Sequence, residues 1–285
     1  MHTIVSSPTK TVTIGSDQPF CIIGERINPT GRKAFQEQLR AGDLSALEKD
    51  VADQVAGGAM MLDVNMGAPL VDEAALLAES VRKIQGLTDL PLCIDSSVVE
   101  ALEAGLAAYE GKALVNSVTA EDERMELILP LVKKYGAAII ALPNDDKEIP
   151  EDPQRRFELT QYLVDTATSK YGIPLEDIVI DPLAMPIGAD SQMVVRTMET
   201  IELIADEIGV NMTLGASNVS FGMPDRHTLN SVFLPMAMGS GLTSAIMDAR
   251  TPQIVTAVKA ADLMLGNDEW GMNWIAAHRA REAAS

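Results

Sequence analysis

Ala59-Met60-Met61-Leu62-Asp63-Val64-Asn65 is the stretch on which the fold turns. An apolar run stops on a carboxylate and an amide, and residues 71–84 follow with the pattern of a helix. Downstream the same unit recurs. Pro91-Leu-Cys-Ile-Asp95 ends in a carboxylate ahead of a helix at 98–108, and Ala113-Leu-Val-Asn116 ends in an amide ahead of one at 121–135. That last helix sets Met125, Ile128, Leu129 and Val132 on one face and carries Pro130, placed to kink it. Residues 137–142 run into Pro143-Asn144-Asp145, and a helix at 153–170 begins with Pro153 in its first turn. Asp177-Ile-Val-Ile-Asp181 stops where Pro182 forces an extended residue, before a helix at 192–208. Residues 210–214 deliver Asn218 through Gly215-Ala-Ser, ahead of a helix at about 228–238. Residues 241–247 end at Asp248, ahead of a helix at 253–265.

Upstream, residues 20–23 with a helix at 44–56 complete the count at eight strand–helix units. The strands are continuous apolar runs, so both faces are buried, as in a parallel sheet. Eight such units predict an α/β fold, a closed (β/α)8 TIM barrel, in which the carboxyl ends of the strands carry the active site. An open doubly wound sheet would carry a G-x-G-x-x-G loop, and the chain has none. The expected organisation is one domain over 1–285. An N-terminal hairpin at about 11–23, around Gly15-Ser-Asp17, covers the barrel bottom, and an extra helix lies at about 268–282.

Composition narrows the function. A formal net charge of −19 argues against nucleic acid or an anionic membrane as partner. No apolar stretch reaches spanning length, and residues 1–10 lack the apolar core of an export signal. The two cysteines, Cys21 and Cys93, sit in apolar runs and read as buried thiols in a reducing cytoplasm. With three histidines in all, a His-rich metal centre is not expected.

Asn28, Asp63, Asn65, Asp95, Asn116, Asn144, Asp181, Asn218 and Asp248 stand at strand ends, a ring of carboxylates and amides. No Lys or His ends a strand, which disfavours Schiff-base chemistry and a His general base. Arg26 and Arg226 are the only arginines near the rim, so a heavily phosphorylated substrate is not indicated. Such a ring suits a neutral heterocycle rich in N–H groups, a pterin among them, since a carboxylate accepts two parallel N–H bonds from a 2-amino-pyrimidinone edge. It equally suits Mg²⁺ held by Asp and Asn oxygens, and composition does not separate the two.

Gly24-Glu-Arg-Ile-Asn28, Leu62-Asp-Val-Asn-Met-Gly67, Leu92-Cys-Ile-Asp-Ser96, Val115-Asn-Ser117, Ile180-Asp-Pro-Leu183 and Ser217-Asn-Val-Ser220 occur in this order. The set resembles the pterin-binding methyltransferases: methyltetrahydrofolate:corrinoid protein methyltransferases and the folate domain of cobalamin-dependent methionine synthase. The resemblance covers residues 20–265. It implies that Asp95, Asn116 and Asp181 bind the pterin ring and that Asn218 acts at the nitrogen bearing the methyl group. Asn28, Asp63, Asn65, Ser217 and Arg226 are secondary candidates for the lining, and no protein-held metal is expected.

The implied substrate is tetrahydrofolate or its methyl form. The implied cofactor is cobalamin carried by a separate corrinoid protein, because the chain has no room for a cobalamin domain and no Asp-x-His-x-x-Gly segment. Direction stays open: methylation of the corrinoid, or delivery of a methyl group to tetrahydrofolate once an O-demethylase has loaded the carrier. A homodimer is implied as well. The alternative is a dihydropteroate synthase-like enzyme. Those enzymes resemble this chain but place a lysine in a Ser-Arg-Lys motif at the seventh strand, where this sequence has Gly215-Ala-Ser-Asn218.

Overall fold

The computed structural model describes residues 1–147 and 149–284. Two short strands, β1 (Thr3–Ser6) and β2 (Thr11–Ile14), precede the barrel as an antiparallel hairpin. Eight parallel strands follow: β3 (Cys21–Ile27), β4 (Met61–Asn65), β5 (Leu92–Asp95), β6 (Leu114–Thr119), β7 (Ala138–Leu142), β8 (Ile178–Ile180), β9 (Asn211–Met212) and β10 (Ser244–Met247). Each pairs with the next in sequence, and β10 pairs with β3. The remaining seam closes at one parallel bridge, Gly215 to Ile246, with Ile246 N–H donating to the Leu214 carbonyl at 2.9 Å.

The helices are α1 (Lys33–Arg40), α2 (Ala46–Gly57), α3 (Glu73–Gln85), α4 (Val99–Ala108), α5 (Asp122–Tyr135), α6 (Pro153–Asp165), α7 (Met193–Glu207), α8 (Arg226–Ser240), α9 (Pro252–Leu265) and α10 (Met272–Ala284). No helix among the described residues is long and apolar enough to cross a membrane.

The core has two layers, and strand pleat explains them. Successive strand side chains point to opposite faces. Ile22, Leu62, Ile94, Val115, Ile139 and Ile180 pack outward in the large cluster shared with the helices. Cys21, Ile23, Met61, Cys93, Leu114, Ile140 and Val179 form a separate inner cluster with Val5, Val12 and Ile14 of the hairpin. The hairpin is therefore the lower plug of the barrel lumen.

This corrects the expected hairpin at 11–23. Thr11–Ile14 pairs with Thr3–Ser6, and Cys21–Ile27 is the first barrel strand. The reason lies in burial. Residues 21–24 are buried on both faces, as a central parallel strand must be, while β1 alternates between buried Val5 and exposed Ile4. Residues 3–6 are half apolar and short, so their pairing carries little local signal. Helix α1 was also not expected; it is largely polar and buries only Phe35 and Leu39, one helical turn apart.

Candidate active site

The lumen side of each strand changes character as it rises. On β4 the inward positions read Met61, Asp63, Asn65; on β5, Cys93 then Asp95; on β6, Leu114 then Asn116. On β8, Val179 is followed two residues later by Asp181. Register aligns them: Asn65 pairs with Asp95, and Asp95 with Asn116. The result is a polar tier directly above an apolar floor.

Hydrogen bonds knit the tier together. Asn65 Nδ2 donates to Asp95 Oδ2 at 2.9 Å, and Asn116 Nδ2 donates to Asp63 Oδ1 at 3.2 Å. Burial pushes the Asp63 carboxyl well above the ordinary range, and the neighbouring Asp95 charge adds to this. Asp95 is pushed up to about 6, chiefly by burial, against the Asn65 bond, which lowers it. Asp181 is pushed up to about 7 by burial, against the Leu183 N–H bond at 2.8 Å and the Arg156 charge. Burial likewise pushes the Cys21 thiol up to about 12, which leaves it inert.

Glu25 belongs to this group and was not in the expected ring. It lies inside the Gly24-Glu-Arg segment of β3, where its register with β4 slips between Gly24 and Ile27. Buried Gln54 fills the slip: its Oε1 accepts from Arg26 N–H at 2.9 Å. A Cβ on residue 24 would stand 2.2 Å from that oxygen, so any larger residue there would displace the Gln54 amide. Glu25 thus faces Ser217, whose hydroxyl lies 2.9 and 3.0 Å from its two carboxylate oxygens. Burial raises the Glu25 carboxyl too. The signal was present, since Glu25 is two residues beyond inward Ile23, but a ring built from the last polar residue of each run selects Asn28 instead.

Asn218 ends a 3₁₀ turn, Ala216–Asn218, that follows β9. Its side chain is exposed and makes no hydrogen bond to a described residue. A Cβ on residue 215 would lie 3.0 Å from Asn218 Nδ2, so Gly215 gives the amide room to fold back. Arg226, the first residue of α8, braces this loop: Nη2 donates to the Ser217 carbonyl at 2.6 Å and Nε to the Ser220 hydroxyl at 3.1 Å.

Two other members of the expected ring bind local partners. Asn28 closes its own turn by accepting from Thr30 N–H at 2.9 Å. Asp248 is bound to Arg250 through Nε at 2.8 Å and Nη2 at 2.7 Å. Burial works against that carboxylate, yet the Arg250 bonds hold it below the ordinary range. Among the described residues, no group of three or more His, Cys, Asp and Glu side chains is arranged to hold a metal ion.

The raised carboxyls have a consequence for stability. A folded acid whose pKa lies above its unfolded value keeps its proton while the unfolded chain has lost it. Stability then falls as pH rises from the unfolded value, near 4, through the folded one, here about 6 for Asp95 and for Asp262, the buried α9 carboxyl that accepts from Phe20 N–H at 3.0 Å, and about 7 for Asp181. The free chain is expected to melt several degrees higher at about pH 5 than at about pH 8. Calorimetry across that range checks it; a flat or rising profile would mean that these carboxyls ionise freely in the fold.

Comparison with known proteins agrees with the geometry. Residues 24–248 match the family described as pterin binding enzyme. A methylcorrinoid:tetrahydrofolate methyltransferase of Eubacterium limosum is 32% identical over 253 residues, covering 87% of this chain and 92% of that protein. A methionine synthase of Mycobacterium tuberculosis is 33% identical over 257 residues, covering 86% of this chain and 22% of that longer protein. Among solved structures, dihydropteroate synthase from Xanthomonas albilineans in complex with 7,8-dihydropteroate superposes with a TM-score of 0.71 at 17% identity, over 92% of this chain and 98% of that one. At that identity the likeness is one of fold. The sequence likeness runs to the methyltransferases, and the chain belongs to the pterin-binding enzyme family, on its methyltransferase branch.

Proposed function

We propose that the chain moves a methyl group between methyltetrahydrofolate and the cobalt of a corrinoid held by a separate protein. One arrangement supports this reading most. Asp95, Asn116 and Asp181 rise from three strands into one lumen above an apolar floor. A pterin is flat, apolar on its faces and rich in N–H groups along its 2-amino-pyrimidinone edge. Carboxylates take such paired donors side by side, and an amide matches a donor or an acceptor by turning over. A buried carboxyl that holds its proton in the free chain is ionised once N–H donors replace the lost water.

The corrinoid, when its carrier docks, supplies the cobalt that takes or gives the methyl group. This chain's task lies at the pterin nitrogen. As its bond to carbon breaks, that nitrogen gains electron density and needs a donor. Asn218 offers two N–H donors from a rim position where nothing in the described chain holds its side chain. A donor bond that tightens only in the transition state raises turnover without tightening substrate binding. The amide does not titrate, so the proton itself comes from water or the carboxyl network. The same contacts serve both directions, and an O-demethylase system would run the reaction toward tetrahydrofolate.

The rim suits a docking protein: Leu70, 94% exposed, and Phe221, 67% exposed, stand out from the loops after β4 and β9. Pairing of two copies has apolar surface to use at Met264, Trp270 and Met272. The acidic surface and two free buried thiols fit a cytoplasmic enzyme.

Titration with methyltetrahydrofolate followed by methyl transfer to free reduced cobalamin is the test. Methylcobalamin should form at a rate proportional to protein. Binding without transfer would leave a folate carrier. Condensation with para-aminobenzoate would instead mark a synthase.

A further inference from the structure

Arg156 on α6 is fully buried, at 0% exposure. Arginine is almost never so placed without a paired anion. Here its direct partners are carbonyls from two successive rim loops. Nε donates to the Pro150 carbonyl at 2.7 Å, and Nη1 to those of Pro182 and Leu183, both at 3.0 Å. Nη2 is buried with no hydrogen-bond partner among the described residues.

The second loop is the one that follows Asp181. Leu183 adopts a φ of 64°, a left-handed conformation that a leucine takes only when held there. It is held from both sides: its N–H donates to Asp181 Oδ1 at 2.8 Å, and its carbonyl accepts from Arg156. Burial works against the guanidinium charge; Asp181 foremost, with Glu151 and Asp152 ahead of the helix, favours it, and Arg196 on α7 opposes it. For Asp181 the acting charge is Arg156.

We propose that Arg156 is a positioning residue for Asp181: its fork locks the Pro182–Leu183 turn, which orients the carboxylate and holds the Leu183 N–H on it, a bond that favours the ionised form when ligand arrives. The proposal rests on the pterin reading of Asp181 for its ligand, but the effect of the turn on the Asp181 carboxyl does not. Lysine cannot replace the fork, because one ammonium does not span carbonyls from two loops in a fixed plane.

The test is a double-mutant cycle with methyltetrahydrofolate as probe, read by calorimetry on wild type, R156K, D181N and the double variant. R156K is expected to weaken binding about tenfold in the wild-type background and to add nothing once Asp181 is gone. Equal losses in both backgrounds, or no loss in the first, overturn the proposal, since a merely structural arginine would act independently of Asp181.

A ligand-free reading decides separately. The Asp181 carboxyl, identified in infrared titration by its disappearance in D181N, should titrate at higher pH in R156M than in wild type. An unmoved midpoint overturns the claim that Arg156 holds the Leu183 N–H on Asp181. If wild type fails to bind the probe, the pterin reading falls and this midpoint still judges Arg156. If D181N abolishes measurable binding, the midpoint is again the deciding result. If R156M does not fold, the R156K cycle decides.

Discussion

Asn218→Ala lowers turnover about 10²- to 10³-fold, the usual loss when one transition-state donor is removed, and leaves methyltetrahydrofolate affinity within a few-fold of wild type. The asymmetry follows from where the side chain stands. Asn218 is exposed at the rim and belongs to none of the bonds that build the lumen tier. Its removal opens no cavity in the core, so the fold should be unaffected. In the ground state the methylated nitrogen is a neutral amine with one lone pair, and it gains a second pair as the methyl group departs. The bond matters as the methyl group departs, so the loss appears in kcat and not in binding. Single-turnover transfer to reduced cobalamin, set beside equilibrium titration, separates the two. Parallel losses in rate and affinity would make Asn218 a binding residue only.

Asp181→Asn acts in the opposite manner: affinity for methyltetrahydrofolate falls about 100-fold or more, a cost of roughly 3 kcal/mol. A carboxylate presents acceptors alone, whereas an amide facing two parallel N–H groups meets one of them with a donor of its own. One of the Asp181 oxygens is already committed to Leu183 N–H at 2.8 Å, so the amide oxygen is drawn there and its NH₂ is left toward the ligand. The variant also removes a titrating group. Wild-type binding should weaken as pH falls through about 7, because the free carboxyl then keeps its proton. In Asp181→Asn that limb of the profile should flatten. Calorimetric titration of both proteins at several pH values reads both effects. Unchanged affinity would remove Asp181 from the ligand and leave it as the partner of a turn.

These outcomes trace back to different depths of the sequence. That Asp95, Asn116 and Asp181 come together was legible because each closes an apolar run, and parallel strands of one barrel end on one rim. That Asn28 closes a local turn and that Asp248 pairs with Arg250 was not legible. An Asx turn over Thr30 and a paired hydrogen bond from Arg250 are each a choice between equally polar local partners. Glu25 and Arg156 were missed for a related reason. Glu25 meets Ser217 from 192 positions away, and Arg156 reaches Leu183 across 27. No periodicity in either segment records such a meeting.

Local patterning alone determined the eightfold alternation, the parallel barrel and the rim where polar residues gather. Burial on both strand faces leaves a continuous apolar run, and that is a property of neighbours along the chain. Only the tertiary structure decided which hairpin plugs the lumen, which rim groups face inward and which arginine is buried behind the tier. Those depend on strand register and on distant side chains competing for the same buried polar atoms, and a buried polar atom binds whichever partner the fold brings within reach.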